Sequence, residues 1–218
     1  ALDHKKAYDN DVGPNTGGMG CFTPSKLMNK NLEEQIYKNI IKKTFYGLRK
    51  DKIDYRGVIF FGLMIKNNKP YIIEYNVRFG DPECQTLLRD LKTDLLDIFL
   101  ATIEDELSKI KISKYNMKVI CVVLASLGYP GNYQKNKQLK NLDKVKKSNN
   151  IEVFHAGTKL VKNKFYSNGG RVLCITARST TLENARRIVY KTIKAINWKN
   201  GFYRKDIGWR VINKNANN

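Results

Sequence analysis

The residues best suited to chemistry lie in one short run, Glu74-Tyr75-Asn76-Val77-Arg78, followed by the turn Phe79-Gly80-Asp81-Pro82-Glu83. In an extended strand, successive side chains alternate faces. Ile73, Tyr75, Val77 and Phe79 are then expected to face a core, while Glu74, Asn76 and Arg78 share the opposite face. A hard cation such as Mg2+ takes oxygen ligands, commonly one or two carboxylates completed by substrate phosphates. Glu74 offers charged oxygens, and Asn76 offers a neutral carbonyl oxygen beside them. Arg78 could hold a phosphate or acyl-phosphate oxygen through paired hydrogen bonds. A phosphate-bridging metal plus a cation on developing charge is the division of labour that phosphoryl transfer requires. The competing reading is a solvated edge strand, on which polar residues alternate without a task.

The pattern supplies the strand these residues need. Residues 57–66 and 71–78 are apolar and β-branched runs joined by the turn signal Asn67-Asn68-Lys69-Pro70, which predicts a β-hairpin. Ahead of it, Leu32, Ile36, Ile40, Ile41, Phe45 and Leu48 recur at helical spacing and predict a helix over 31–50. After it, Leu95, Leu96, Phe99, Leu100, Ile103 and Leu107 predict the apolar face of a helix over 93–110. Between hairpin and helix, Asp81 is either an N-cap for a helix that Pro82 begins or a residue near substrate. The first 24 residues lack any hydrophobic period and read as loop. Their Gly17-Gly18-Met19-Gly20 tract implies backbone that approaches something closely. A second α+β piece is expected from residue 113. It comprises a buried strand over 117–127, a turn at Gly128-Tyr129-Pro130-Gly131 and a polar, lysine-rich stretch over 132–150. Short strands over 151–154, 164–167 and 171–177 follow, then a helix over 181–196 capped by Thr180 or Thr181.

Composition narrows the function classes. The chain has 218 residues and a net charge of +20, which on its face suggests an anionic partner such as nucleic acid. Its lysines, however, are spread throughout and often sit beside asparagine, as in Lys66-Asn67-Asn68-Lys69, Lys146-Lys147-Ser148-Asn149 and Asn213-Lys214-Asn215. That is the texture of a compositional bias on tolerant loops, so a nucleic-acid-binding role is kept only as the alternative. Cys21, Cys84, Cys121 and Cys174 form no Cys-x-x-Cys pair, which argues against a zinc site or a disulfide framework. No apolar run approaches the roughly 20 residues that span a bilayer, and the charged opening does not resemble a signal peptide. The expectation is a cytoplasmic protein without membrane or nucleic-acid partners.

Arg78-Phe79-Gly80-Asp81-Pro82-Glu83-Cys84-Gln85 resembles a signature of the phosphoribosylamine–glycine ligase (glycinamide ribonucleotide synthetase) family of ATP-grasp enzymes. Asp3-His4-Lys5-Lys6, 11–20, 57–65, Phe154-His155-Ala156-Gly157-Thr158, Asn168-Gly169-Gly170-Arg171-Val172 and 203–210 resemble that family too, in its order. The resemblance implies the C-terminal half of an ATP-grasp fold (an antiparallel sheet with helices) over 1–112, and a small α+β C-terminal domain over 113–218. It implies Glu74 and Asn76 as ligands of Mg2+ or Mn2+, with Arg78 catalytic. Asp3, His4, Lys5, Asn15, Thr16, Gly17, Gly18, Gly20 and Asp81 would then meet substrate or phosphate, the glycine tract through main-chain N–H groups. The implied substrates are ATP, glycine and 5-phosphoribosylamine, in purine biosynthesis. Family members also carry an N-terminal nucleotide-sugar-phosphate domain and the first half of the ATP-grasp fold. This chain is therefore expected to need an N-terminal half for activity, the remaining alternative being an inactive remnant. His155 and Arg171 read equally as surface residues and as ligand contacts.

Overall fold

The computed structural model describes residues 1–143, 145 and 148–209. Lys146-Lys147, Arg210 and Asn213-Lys214-Asn215 lie outside the described residues. Along the chain run β1 (Leu2–Asp3), β2 (Lys6–Tyr8), β3 (Val12–Asn15) and β4 (Gly20–Thr23). Helices α1 (Lys30–Ile36) and α2 (Lys42–Lys50) follow, joined by a π-helical turn over Tyr37–Ile41. Next come β5 (Phe60–Lys66), β6 (Lys69–Asn76), α3 (Glu83–Leu88) and α4 (Leu95–Ile103). The rest is β7 (Lys118–Ser126), β8 (Gln138–Leu139), β9 (Ile151–His155), β10 (Thr158–Val161), β11 (Lys164–Ser167), β12 (Arg171–Ser179), α5 (Leu182–Ala195) and β13 (Gly201–Phe202). Helices and antiparallel sheets mix in an α+β arrangement.

The chain packs as two units, and neither is a single stretch. The larger comprises Ala1–Pro24, Asp81–Leu91 and Lys114–Asn218, the smaller Ser25–Gly80 and Lys92–Ser113. A single cut at 112/113 is thus a division of the sequence and not of the packing.

In the larger unit, β1-β4-β7-β12-β9 form a sheet, with β13 also paired to β7. The central strand β7 is covered on both faces, which explains an unbroken apolar run in place of alternation. Ile120, Val122 and Leu124 pack with Val172, Ile175 and the α5 residues Leu182, Ala185, Val189 and Ile193. Cys121 and Val123 face the other way, with Cys21, Cys174 and Phe154. All four cysteines are free. Each buried Val, Leu or Ile contributes about 1.5–3 kcal/mol relative to exposure. Thr181 caps α5 by accepting a hydrogen bond from Asn184 N.

The N-terminal 24 residues are not loop. They contain four short strands, and β4 pairs with β7 from Gly20↔Val122 to Thr23↔Val119. A four-residue strand buried on both faces has no hydrophobic period to read, so its pairing is invisible until β7 lies beside it. β8 and β10, which pair with β11, lie within stretches that carried no strand signal for the same reason of length.

In the smaller unit, Leu32, Ile36 and Ile40 are buried along the helical run, which Asn29 caps by accepting from Leu32 N. β5 and β6 form the expected hairpin. The expected inward row on β6 is corrected: Ile73, Tyr75 and Val77 are 63%, 54% and 74% exposed. A two-stranded hairpin has too little sheet to enclose both faces. The expected helix over 93–110 is also shorter. It ends at Ile103, with Asp105 in the left-handed region, and only Ala101 of its residues is buried.

Candidate functional site

On β6, Glu74 and Asn76 lie side by side, and Asn76 Nδ2 donates to Glu74 Oε1 at 3.0 Å. Glu74 stands opposite Gly62 of β5. Its side chain lies over that glycine, so closely that a Cβ there would come within 2.7 Å of Glu74 Cγ. Arg78 is exposed and donates from Nη1 to the carbonyl of Phe79 at 2.8 Å. The donor set of this strand is all oxygen, with one carboxylate and one amide. That fits a hard divalent ion whose remaining positions are filled by phosphate and water. No group of three or more His, Cys, Asp or Glu able to hold a metal occurs among the described residues. A cation here would therefore complete its coordination with oxygens from water or from a substrate.

The other candidates belong to the larger unit, where Arg171 gathers them. At the start of β12, its Nη1 donates to Gly17 O at 3.0 Å, Gly18 O at 3.4 Å and Asp81 O at 2.6 Å, and Nη2 pairs with Asp81 Oδ2 at 3.0 Å. Asp81 is therefore not an N-cap. Pro82 holds that position without a side-chain bond, and Asp81 also accepts from Gln85 Nε2. A guanidinium satisfies this carboxylate better than helix amides would, because charge-assisted bonds are the stronger ones.

The glycine tract approaches the protein itself. Thr16 N donates to Lys5 O, Gly17 N to Tyr129 Oη, Gly18 N to Thr16 Oγ1 and Met19 N to His4 O. The amides of Thr16, Gly17, Gly18 and Met19 are thus bonded within the fold. Gly18 needs to be glycine: its φ is +121°, and a Cβ would lie 2.5 Å from Pro82 Cδ and 2.9 Å from Asp3 Oδ1. Gly157 and Gly169 pack backbone to backbone, and Gly170 abuts the Tyr129 ring. Parts of the motif blocks, residues 11–20, 81–85, 154–158 and 168–172, therefore meet around Arg171.

Asp3 is mostly buried and pairs with the ammonium of Lys5 at 2.7 Å. Burial first, and then the neighbouring Glu83 charge, push its carboxyl up to about 6. His4 is buried and bonded through Nδ1 to Gly20 O at 3.2 Å. Burial, and then the Arg204 charge, hold it down to about 4. The buried His4 ring is thus neutral near pH 7. Beneath it, the buried Arg204 pairs with Asp11 at 2.8 Å and Asp206 at 2.7 Å and donates to Lys6 O. Burial raises the Asp206 carboxyl, but its bonds from Arg204 outweigh this and bring it to about 2. Asn15 and Gly17 remain exposed, as does half of the Lys5 side chain. His155 stacks on Phe165 at 4.4 Å and bonds Thr158 Oγ1 at 3.0 Å, apart from this cluster.

Sequence reasoning gave Arg171 and Arg204 no specific task. The available signal was a charged residue at the mouth of an apolar strand, after two glycines, and another within a motif block.

Comparison with known proteins agrees with these motif blocks. Residues 1–84 match the model described as phosphoribosylglycinamide synthetase, ATP-grasp (A) domain, and residues 119–210 the model of its C domain. The chain is 44% identical to the chloroplastic phosphoribosylamine–glycine ligase of Arabidopsis thaliana, over 97% of this chain and 41% of that protein. It is 45% identical to the ligase of Agrobacterium fabrum, over 97% of this chain and 50% of that one. The crystal structure of the Thermotoga maritima ligase superposes with a TM-score of 0.83 at 32% identity, over 95% of this chain and 50% of the other. The chain thus spans about half the length of the relatives it matches.

Proposed function

Because the chain belongs to the phosphoribosylglycinamide synthetase family, we propose that it works in an enzyme joining glycine to 5-phosphoribosylamine at the expense of ATP. It contributes the metal-binding edge of the ATP-grasp site, from residues 1–112, and the C domain, from 113–218. The glycine carboxylate takes the γ-phosphoryl group of ATP and becomes glycyl phosphate, releasing ADP. The amine of phosphoribosylamine then attacks the acyl carbon, phosphate leaves, and glycinamide ribonucleotide forms, a step of purine biosynthesis.

The observation that carries this reading is the Glu74–Asn76 pair, 3.0 Å apart on one strand face. The Glu74 carboxylate and Asn76 Oδ1 would hold Mg2+ or Mn2+, which would offset the negative charge of the nucleotide phosphates. Asn76 would turn its oxygen towards the ion, giving up the bond to Glu74. Arg78 exchanges its bond to Phe79 O for an oxygen of the transferring phosphoryl group. Lys5, paired with Asp3, and the side chains of Asn15 and Thr16 face an anionic substrate. Gly17, Gly18, Gly20 and Asp81 fix that surface in place. No helix among the described residues is long and apolar enough to cross a membrane, and free cysteines suit a reducing compartment such as the cytoplasm. The enzyme's other half is supplied by an N-terminal partner segment.

The test pairs this chain with the N-terminal half of a relative and follows ATP- and glycine-dependent consumption of phosphoribosylamine. Glu74→Ala and Asn76→Ala should each lower turnover by at least the about 10–100-fold that even outer partners of a metal cost. Wild-type turnover in both variants would remove the metal assignment.

A further inference from the structure

We propose that Gly62 is a positioning residue that aims the Glu74 carboxylate at the cation site, an inference that rests on the metal reading above. Gly62 and Glu74 are direct cross-strand partners. Beyond them the register slips: Gly62 pairs with Glu74, but Leu63 pairs with Ile72, so Ile73 is the extra residue of a β-bulge. A bulge re-aims the side chains beside it. Here it sits next to the one strand position where Glu74 crosses its neighbour.

The backbone of Gly62 does not explain the glycine, because its φ lies outside the left-handed region. Glycine weakens a strand interior, so the missing side chain is the feature to explain. A Cβ at 62 would lie 2.7 Å from Glu74 Cγ and 3.4 Å from Oε1. Glu74 therefore lies flat across β5 only because position 62 is bare, and that pose brings Oε1 to Asn76. Any side chain at 62 lifts Glu74 and carries its carboxylate away from the Asn76 side chain. Gly47 is the contrasting case: it lies in α2 with open space around it, so alanine there disturbs nothing.

The experiment uses this chain with Mn2+ alone and reads paramagnetic broadening of the Asn76 side-chain amide by 15N NMR. Gly62→Ala should shift that amide towards its position in Glu74→Ala and raise the Mn2+ needed for broadening about 10-fold. Glu74→Ala should abolish the broadening, and Gly47→Ala should leave it unchanged. If Glu74→Ala removes the broadening while Gly62→Ala keeps both wild-type shifts and wild-type Mn2+ response, the inference is overturned and the metal reading stands. If Glu74→Ala leaves the broadening intact, the metal reading fails and takes the inference with it. Should Gly62→Ala fail to fold, the double variant with Glu74→Ala decides. Restored folding supports the inference, and persistent unfolding overturns it.

Discussion

In the larger unit, Arg171 bonds Gly17, Gly18 and Asp81, and Arg204 pairs with Asp11 and Asp206. In the smaller unit, Glu74 and Asn76 have a hydrogen bond to each other, and Arg78 bonds the adjacent carbonyl of Phe79. The first set lies in the motif blocks and the second on the strand that leads into one, yet the first is spent inside the fold and the second is held out with bonding capacity in reserve. Polar groups satisfied by protein build a rigid surface. Polar groups left to water are the ones a substrate can recruit, since replacing water costs less than breaking a buried network.

This contrast can be broken most forcefully at Arg204. Arg204→Leu leaves Asp11 and Asp206 without their cation, and should destabilise the chain by about 3–5 kcal/mol, read as a lowered midpoint in urea unfolding. A loss below 1 kcal/mol would mean the network is replaceable by water.

The next effect is one of pH. His4, held down to about 4, loses stability for the fold as pH falls from its unfolded value of 6.5 towards 4, because the unfolded chain takes the proton first. Asp3, raised to about 6, acts oppositely: between 6 and 3.8 the folded chain takes the proton first, so acidification favours folding. The two nearly cancel in the wild type. Asp3→Asn should expose the His4 slope, a fall of about 3 kcal/mol between pH 6.5 and 4. A flat profile in that variant would show that His4 accepts a proton in the folded state.

Smaller still, Arg171→Ala should cost about 2 kcal/mol and speed amide exchange at Gly17 and Gly18, as charge-assisted bonds to the tract disappear. Unchanged exchange would mean that Tyr129 and Thr16 suffice to hold it. Glu74→Ala should move stability by no more than about 0.5 kcal/mol while turnover with the N-terminal half collapses. A large stability loss there would place Glu74 with the scaffold and erase the contrast between the units.

Much of this was legible beforehand because it is local. The hairpin announced itself through two β-branched runs around Asn67-Asn68-Lys69-Pro70, and α5 through its period and Thr181. The adjacency of Glu74 and Asn76 followed from strand alternation alone. What escaped was set by partners distant in sequence. β4 is four residues whose meaning is its pairing with β7. Ile73, Tyr75 and Val77 were expected inside, but burial is a property of what covers a face. The glycine tract was read as a close approach, and within the fold the groups it approaches are Pro82, Asp3 and Arg171.

By itself the sequence determined the chemistry on offer: an oxygen pair and an arginine on one strand, and motif blocks placing the chain in its family. Only the tertiary structure decided which polar groups are already satisfied. The types of Arg171, Asp81 and Gly17 are fixed by the gene, but hydrogen bonds saturate, and whether a group's capacity is used up depends on what the fold brings within 3 Å of it.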